Sequence, residues 1–270
     1  MNERLLSALF SFRETGVCLA FSGGVDSALL LALCVKEQIP VTAVTFQTTL
    51  HPRCDLENAR AITKKLGVRH LVLEVDETAV PVIMENPPDR CYHCKKYLFT
   101  KLQALAETEG RPTILDGTNA DDLTQYRPGL KALKELHVRS PLAECGVTKA
   151  EVRQLASELG LKTASRPSSP CLATRLPYYT HVTPALLRQI EAGEGYLKTA
   201  GFPIVRLRVH PEAMGPLARI EIPVGQFPAL LEKKAEITTF LRDLGFAEVT
   251  LDLEGFRSGC YDRNLKPSNF

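Results

Sequence analysis

The sequence predicts an α/β protein, with a doubly wound, parallel-sheet domain followed by a smaller C-terminal α/β domain. The first observation is that short apolar, β-branched segments alternate with segments of helical spacing, which is typical of a parallel sheet covered by helices. The second is a Ser-Gly-Gly corner, SGGVDS at 22–27, which joins an apolar strand to an apolar helix. The third is that two alternating segments, typical of a hairpin, replace this order near the C-terminus.

The elements of the first domain each have their own signal. Apolar runs predict strands over residues 17–21, 40–50 and 69–76, and a fourth strand within 112–122 that leads into a polar, acidic loop. Helical spacing, with glycine at several ends, predicts helices over residues 26–33, 54–68, 94–110 and 147–161. Thr148 and Glu151 match the S/T-x-x-E capping box at the start of the last helix. Ligands of such sheets bind beyond the carboxyl ends of the strands, so the loops at 22–27 and 116–122 are predicted to form the site.

A long aperiodic segment separates the two predicted domains. KTASRPSSPCLATRLPYYT, at 162–180, is rich in Pro and Ser and has a cysteine near its middle. Loops of this length inside a globular protein are usually functional or linkers. We therefore predict a first domain over 1–165, an active-site loop and linker over 166–182, and a second domain over 183–270. Within the second domain we expect a helix at 183–201, a hairpin of 203–210 and 217–224, a helix at about 226–244 and a strand at 248–253.

The composition is that of an ordinary globular protein. The 270 residues carry a net charge of +2 and are 44% hydrophobic. No apolar stretch reaches the roughly 18 residues of a membrane span, and no long Lys/Arg tract indicates a nucleic-acid surface. The first residues include acidic side chains and no small-residue cleavage site, so we expect no signal peptide. Eight cysteines without such a signal favour reduced thiols and a cytoplasmic location, with Cys18 and Cys34 as core residues.

The SGGVDS corner has the features of an anion site. Gly23 and Gly24 allow a sharp turn and close approach, the free N–H groups at a helix start attract anions, and Ser22 and Ser27 add hydroxyl donors. The lysine of a Walker A loop is absent, and Asp26 beside a phosphate makes sense if it holds Mg²⁺. The alternative is an ordinary βα turn with helix caps. SGGVDS closely resembles the pyrophosphate-binding loop of the ATP pyrophosphatase (PP-loop) family, which implies a Rossmann-like domain and cleavage of ATP to AMP and pyrophosphate.

A C-x-x-C pair, CYHC at 91–94, is followed by Cys171. Such a pair suits structural zinc, a redox dithiol or an iron–sulfur cluster, and unliganded cysteines are a further alternative. Zinc would need a fourth ligand, for which His93, Cys54 and Cys145 are candidates. Three thiolates on a [4Fe-4S] cluster would leave one iron open for an extra sulfide, which suits a reaction that replaces activated oxygen by sulfur.

Several strings resemble the LarE family of ATP-dependent sulfur transferases over nearly the whole chain. They are LDGTNADD (115–122), RPGLKAL (127–133), SPLAECGVTKAEVR (140–153), RPSSPCLATR (166–175), LRVH (207–210) and LARIEIP (217–223). The resemblance implies adenylation of a carboxylate of pyridinium-3,5-biscarboxylic acid mononucleotide, then sulfur insertion, for the nickel-pincer nucleotide of lactate racemase. One branch of the family sacrifices a single cysteine; the other carries three cysteines and a [4Fe-4S] cluster, and Cys91, Cys94 and Cys171 resemble that branch.

The resemblance, together with the chemistry of the side chains, implies a set of site residues. The expected ATP-binding residues are Ser22, Gly23, Gly24, Asp26, Ser27, Phe46, Gly117, Thr118 and Asn119. The expected substrate-binding residues are Lys95, Thr174, Arg175, Arg206 and Arg208. Asp26 and Cys171 are expected to act in catalysis, Asp26 and more weakly Asp122 to bind Mg²⁺, and Glu194 to bind a divalent metal. Sulfide or another sulfur donor is the implied partner, and a homo-oligomer is expected from the family alone.

Some of these positions have a plain structural alternative. Asp121 and Asp122 could cap a helix start, Arg206 and Arg208 could be exposed strand arginines, and Glu194 could be a surface carboxylate. Three other functions are weighed against sulfur transfer to a mononucleotide: a tRNA thiolase, an ammonia-using synthetase and a nucleotide sensor without chemistry. The tRNA thiolase would usually bring further zinc-binding or RNA-binding modules, and no second C-x-x-C pair is present.

Overall fold

The computed structural model describes residues 3–165, 169–257 and 261. The strands are β1 Val17–Ala20, β2 Val41–Gln47, β3 Arg69–Glu74, β4 Ile114–Leu115, β5 Arg206–His210, β6 Leu217–Glu221 and β7 Glu248–Leu251. The helices are α1 Glu3–Phe10, α2 Val25–Lys36, α3 Arg53–Leu66, α4 Pro81–Met84, α5 Arg90–Thr108, α6 Gly129–Glu135, α7 Pro141–Glu144, α8 Lys149–Glu158, α9 Pro184–Thr199, α10 Phe227–Glu232 and α11 Lys234–Asp243. Within these described residues, no helix combines the length and the apolar character that crossing a membrane requires.

The chain divides into two compact units. The first comprises the chain up to Ala79 and the range Asp89–Ser169; the second comprises Val80–Pro88 and the chain from Pro170 onward. The short α4 segment therefore belongs with the C-terminal half. The sequence analysis does not anticipate this crossing, because a nine-residue excursion changes neither the composition nor the periodicity of the chain.

The first unit contains a parallel four-stranded sheet in the order β3-β2-β1-β4. Strand β1 is buried along nearly its whole length, as expected of a central strand covered on both faces. Helix α2 is apolar around its circumference, and nine of its twelve residues are buried in the core. This architecture confirms the predicted α/β class with a parallel sheet.

The second unit contains a three-stranded sheet in the order β5-β6-β7. Strands β5 and β6 form the expected antiparallel pair, with Leu207 opposite Ile220, and β7 pairs with β6 in parallel. Helix α9 packs on β5 at Gly193, where a Cβ atom would collide with the Leu207 side chain. Thr183 caps this helix by accepting a hydrogen bond from the Leu186 amide at 3.2 Å.

Three elements show the differences from their predicted bounds that have a clear cause. Helix α5 begins at Arg90 rather than Cys94. Only Asp89 separates this start from Pro87-Pro88, and proline is excluded from the helix interior, so the helix occupies nearly all of the chain that the prolines allow. The strand of the 112–122 segment is only two residues long, and the expected loop begins at Asp116, whose side chain accepts the Thr118 amide. The helix expected over 226–244 is two helices that meet at Lys233.

Candidate active site

The SGGVDS loop follows β1 and opens helix α2 at the carboxyl edge of the parallel sheet. Gly23 has a φ of +69°, and a Cβ there would lie 3.0 Å from Asn58 Nδ2. Ser22 Oγ lies 3.3 Å from Ser27 Oγ and accepts the Gly24 amide at 3.3 Å. Within the part of the chain that the structure describes, no side chain caps the start of α2. The first amides of this helix are therefore available to an anion.

The loop after β4 lies directly against the SGGVDS loop. A Cβ at Gly117 would lie 3.0 Å from the Ser27 amide nitrogen, so the close approach requires glycine. Asn119 donates from Nδ2 to Asp26 Oδ1 at 3.1 Å. The structure thus brings together two loops that the sequence analysis places at the same sheet edge, and their polar groups converge on Asp26.

Asp26 has a second partner, which the sequence analysis does not include. The ammonium of Lys149, the first residue of α8, forms an ion pair with Asp26 Oδ2. The Asp26 carboxylate has the hard oxygen ligands that suit Mg²⁺. A signal for Lys149 exists in the string SPLAECGVTKAEVR, where the capping box marks a helix start whose first side chain is a lysine.

Asp122 and Asp121 have the capping contacts that the sequence analysis gives as their alternative. Asp122 Oδ2 accepts the Asn119 amide at 3.1 Å in a reciprocal capping box, and its Oδ1 lies 2.7 Å from Arg127 Nη2. Asp121 Oδ2 accepts the Lys149 amide at 3.0 Å. Both carboxylates therefore order the loop and the start of α8, and magnesium binding by Asp122 stays a prediction.

The C-x-x-C pair lies in the first turn of α5, so Cys91 and Cys94 are one helical turn apart. Cys94 is buried and Cys91 is exposed, with Arg90 Nη2 3.6 Å from Cys91 Sγ. Lys95 lies 3.4 Å from Asp116 Oδ2, at the end of β4. Asp116 is a residue that the sequence analysis misses; it also accepts the Ser140 hydroxyl and links the cysteine helix to the sheet edge.

Phe46 packs against an aromatic ring of α5, and Cys18 and Cys34 are buried in the core. The Phe46 ring lies 5.6 Å from the Phe99 ring of α5, centroid to centroid, near the end of β2. Burial raises the pKa of the Cys18 and Cys34 thiols to about 12, so neither is a thiolate at neutral pH. Both are core residues, as predicted.

Cys171 lies in the second unit and begins a 3₁₀ turn, Leu172–Arg175. Its carbonyl oxygen accepts the Thr174 hydroxyl at 2.7 Å, and Arg175 Nη1 donates to the same hydroxyl at 2.8 Å. Among the residues that the structure describes, no group of three or more His, Cys, Asp or Glu side chains is arranged to hold a metal ion.

The charged residues predicted in the second unit form a buried network. Arg175 donates from Nε and Nη2 to the two Glu194 oxygens at 2.7 and 2.9 Å, and Glu194 also accepts the Leu207 amide at 3.1 Å. Both side chains are almost completely buried, so Glu194 is not the surface carboxylate of the alternative. Both Glu194 oxygens accept hydrogen bonds from Arg175. Binding of a divalent metal by Glu194 stays a prediction.

Arg206 and Arg208 are buried rather than exposed. Arg208 donates to Glu221 Oε2 at 3.0 Å and to the Thr174 carbonyl at 2.6 Å. The Arg206 guanidinium lies 5.1 Å from the Phe256 ring and donates to the Val205 carbonyl. Burial and, secondarily, the Arg175 charge lower the pKa of Arg206 to about 10. An anion close to this guanidinium would stabilise its charge.

Comparison with known proteins identifies the class. The family model described as "Queuosine biosynthesis protein QueC" matches residues 16–82, which include the SGGVDS loop. The tRNA-specific 2-thiouridylase MnmA of Rickettsia rickettsii is 26% identical over 196 residues, covering 58% of this chain and 53% of that protein. With the parallel sheet and the loop, these matches indicate the PP-loop class of ATP-using enzymes, and the following relative shows that the chain is an AMP-forming sulfur transferase of this class.

Two relatives of similar length narrow the class further. The pyridinium-3,5-bisthiocarboxylic acid mononucleotide synthase of Lactiplantibacillus plantarum is 39% identical over 251 residues, which cover 92% of this chain and 90% of that protein. An uncharacterised protein of Synechocystis, slr1717, is 40% identical over 92% of both chains. The chain belongs to the LarE family, the family of this synthase, as the resemblance of its motifs predicts.

Proposed function

We propose that this enzyme converts carboxylates of pyridinium-3,5-biscarboxylic acid mononucleotide into thiocarboxylates for synthesis of the nickel-pincer nucleotide. A carboxylate oxygen of the substrate attacks the α-phosphorus of ATP, and pyrophosphate leaves. A sulfur nucleophile then attacks the acyl carbon of the adenylate, and AMP leaves with the former carboxylate oxygen. The observation that carries the proposal is the 39% identity to the named synthase over 92% of this chain.

The first unit supplies the groups that this proposal needs around ATP. The β,γ-pyrophosphate would bind the first amides of α2 and the hydroxyls of Ser22 and Ser27, with Gly23 and Gly24 allowing its approach. Asp26 would hold Mg²⁺, which neutralises charge as the phosphoanhydride bond breaks. Gly117, Thr118 and Asn119 would lie against the nucleotide, and the backbone near Phe46 would contact adenine.

The second unit supplies positive charge for the mononucleotide. Arg206 is the best candidate for its phosphate, because the guanidinium is buried beside other arginines and an anion would offset their repulsion. Arg208 would take part mainly by orienting the backbone at Thr174, to which it already donates. Thr174, Arg175 and Lys95 are proposed to contact the substrate, and Glu194 to hold Arg175 in place.

Sulfur delivery is proposed to involve Cys91, Cys94 and Cys171. A [4Fe-4S] cluster on the three thiolates is our hypothesis for catalytic delivery, and sacrifice of Cys171 to dehydroalanine is the alternative. The donor chemistry of a C-x-x-C pair suits iron, whereas the described arrangement contains no three-residue ligand set. Sulfide, or another sulfur donor, would restore the enzyme in the first case.

The reaction itself is tested with purified enzyme, ATP, Mg²⁺, the mononucleotide and sulfide under anaerobic conditions. We expect pyrophosphate release that depends on the mononucleotide, and a product whose mass reflects sulfur in place of oxygen. Arg206→Gln should raise the KM for the mononucleotide while ATP binding stays unchanged. Pyrophosphate release without any sulfur-containing product would contradict the proposal.

The sulfur source is tested by the cysteines. If a cluster forms, Cys91→Ala, Cys94→Ala and Cys171→Ala should each lose iron, acid-labile sulfide and turnover together, whereas the Cys54→Ala control should lose none of them. The intact enzyme should turn over repeatedly without a change in its polypeptide mass. Dehydroalanine at position 171 after a single turnover, with Cys91 and Cys94 dispensable, would establish the sacrificial route instead.

Thiolation of tRNA is the second candidate, favoured by the MnmA match over 58% of the chain. Binding of tRNA at several salt concentrations separates the two, since phosphate contacts make such binding steeply salt-dependent. We expect no specific tRNA binding. A cytoplasmic location and homo-oligomeric assembly are further parts of the proposal, the latter resting on the family alone.

A further inference from the structure

The peptide that joins Gly23 to Gly24 in the SGGVDS loop lies between two fixed points of the chain. Before it, the sheet holds the backbone, because the Phe21 amide donates to the Val44 carbonyl at 2.8 Å. After it, helix α2 holds the backbone, because the Gly24 carbonyl accepts the Ala28 amide at 2.9 Å. The peptide itself has glycine on both sides, so rotation of its plane meets little steric resistance. Its orientation therefore depends on the contacts of its own carbonyl and amide groups.

Asn58 of α3 holds the carbonyl of this peptide. Its Nδ2 donates to the Gly23 carbonyl oxygen at 2.7 Å. Gly23 lies tightly against α3, since a Cβ at this position would be 3.2 Å from the Ala59 amide nitrogen. The carbonyl and the amide of a planar trans peptide point in opposite directions, so a carbonyl directed at α3 turns the Gly24 amide away from α3. That amide donates to Ser22 Oγ at 3.3 Å, within the loop.

The opposite orientation of the same peptide would damage the anion site. Rotation of its plane by half a turn would move φ of Gly24 from −75° to about +105°, which glycine tolerates and other residues rarely adopt. The Gly23 carbonyl oxygen would then take the side of the loop on which the Gly24 amide now lies. A carbonyl oxygen there would repel a phosphate, whereas an amide donates to it.

We propose that Asn58 is a positioning residue for ATP, which locks this peptide so that the loop presents the Gly24 amide, and not the Gly23 carbonyl, to the β,γ-pyrophosphate. Asn58 acts through the loop and does not itself contact the nucleotide. The hydrogen bond from the Gly24 amide to Ser22 is long, at 3.3 Å, so the amide can pass to a charged phosphate oxygen, which is the stronger acceptor. This inference rests on the nucleotide site of the proposed function.

Calorimetric binding of ATP and of AMP, each with Mg²⁺ and without the mononucleotide, tests this role separately from the sulfur transfer. Asn58→Leu keeps a side chain of similar size but has no donor, and it should weaken ATP binding about tenfold, the size of one hydrogen bond. AMP binding should stay unchanged, because AMP has no β- or γ-phosphate for the loop to hold. Asn58→Ala should weaken ATP binding to the same extent as Asn58→Leu, since both variants lack the donor.

The controls separate this inference from the nucleotide site itself. Glu57→Gln changes the neighbouring exposed residue of α3 and should bind both nucleotides as the unmodified enzyme does. Should Asn58→Leu fail to fold, the comparison of ATP with AMP in Asn58→Ala carries the test. Normal ATP binding by folded Asn58→Leu would reduce Asn58 to a packing residue and leave the nucleotide site standing, and equal weakening of ATP and AMP binding would overturn the role as general disorder of α3. An unmodified enzyme that binds no ATP would overturn both the role and the site.

Discussion

Glu77 in the first unit and Glu194 in the second are both buried carboxyl groups, yet their surroundings shift their pKa values in opposite directions. Burial alone would raise the pKa of Glu194, but the hydrogen bonds and charge of Arg175 outweigh it and hold the pKa below its usual range. Burial raises the pKa of Glu77, and the hydrogen bonds from Thr48 and the Thr49 amide only partly oppose it. In the second unit a buried guanidinium balances the charge of Glu194, whereas in the first unit burial favours the protonated form of Glu77.

The contacts explain the difference. Glu194 is stabilised by two hydrogen bonds from the Arg175 guanidinium, by the positive charge of that group and by a hydrogen bond from the Leu207 amide. Glu77 Oε2 accepts the Thr49 amide at 3.1 Å, whereas its Oε1 is buried without a hydrogen-bond partner among the described residues. The second unit therefore uses its charges to fix its structure. The first unit keeps a buried carboxyl with one oxygen that has no hydrogen-bond partner among the described residues.

The largest change in the free energy of unfolding is expected from removing the charge of Glu194 in the second unit. Glu194→Gln leaves the buried Arg175 charge without its counter-ion, and removal of one partner of a buried pair costs about 3–5 kcal/mol. Urea unfolding near neutral pH measures the loss. The control is Lys198→Ala, because the exposed Lys198 ammonium is 3.9 Å from Glu194 and should contribute less than about 1 kcal/mol. A small effect of Glu194→Gln would show that the buried pair is not a major source of stability.

A smaller effect of opposite sign is expected from Glu77→Gln, within the roughly 0.5–3 kcal/mol of most substitutions. A raised pKa means that the folded state favours the protonated form, so stability falls as the pH rises above the ordinary glutamate pKa of about 4.3. The stability of Glu77→Gln relative to the unmodified protein should therefore increase from about pH 4 to about pH 7.

Glu194→Gln supplies the reference for this pH series. In the unmodified protein the pKa of Glu194 is lowered, so its carboxylate stabilises the fold above the ordinary glutamate pKa. This stability is lost as the pH falls through the folded-state pKa. The relative stability of Glu194→Gln should then decrease as the pH rises to the ordinary glutamate pKa of about 4.3, and it should level off above that pH. Parallel curves for the two variants would contradict the opposite pKa shifts.

The sequence predicts the parts of the fold that local pattern controls. The strands, the glycine corner and the caps at Thr148 and Thr183 follow from periodicity and from the chemistry of single turns. The side chains that converge on Asp26 are harder to predict, because Asn119 and Lys149 come from two different loops and meet only through the order of strands in the sheet. Strand order depends on tertiary packing, which no local window contains.

Burial of charge is a second limit. Arg206 and Arg208 alternate with apolar residues, and this pattern is equally typical of an exposed strand face. Their burial depends on Glu221, on the Thr174 carbonyl and on the Phe256 ring, which are distant in sequence. Glu194 lies on a helix whose spacing gives no sign that Arg175 covers it. The charged core of the second unit is therefore visible only in the structure.

The N-terminal caps of α8 and α9 allow a comparison of the two units in which smaller changes in stability are expected. Thr148→Ala and Thr183→Ala each remove a side chain that accepts an amide hydrogen bond, and each should cost about 1 kcal/mol in unfolding experiments. Only Thr148→Ala should also weaken ATP binding, because its cap fixes the turn that places Lys149 against Asp26 of the proposed nucleotide site. Equal effects of both variants on ATP binding would indicate a general loss of order rather than a local one.

The smallest change in stability, with the most complete change in function, is expected at Asp26. Its ion pair with Lys149 is partly exposed, and such pairs contribute about 0–1 kcal/mol, in contrast to the buried Arg175–Glu194 pair. Asp26→Ala should therefore unfold at nearly the same urea concentration as the unmodified protein. Pyrophosphate release should nevertheless be lost, because the carboxylate proposed to hold Mg²⁺ against the phosphates is gone. Normal AMP formation by the folded variant would remove Asp26 from the proposed machinery, and a large loss of stability would show that its pair is as structural as the buried one.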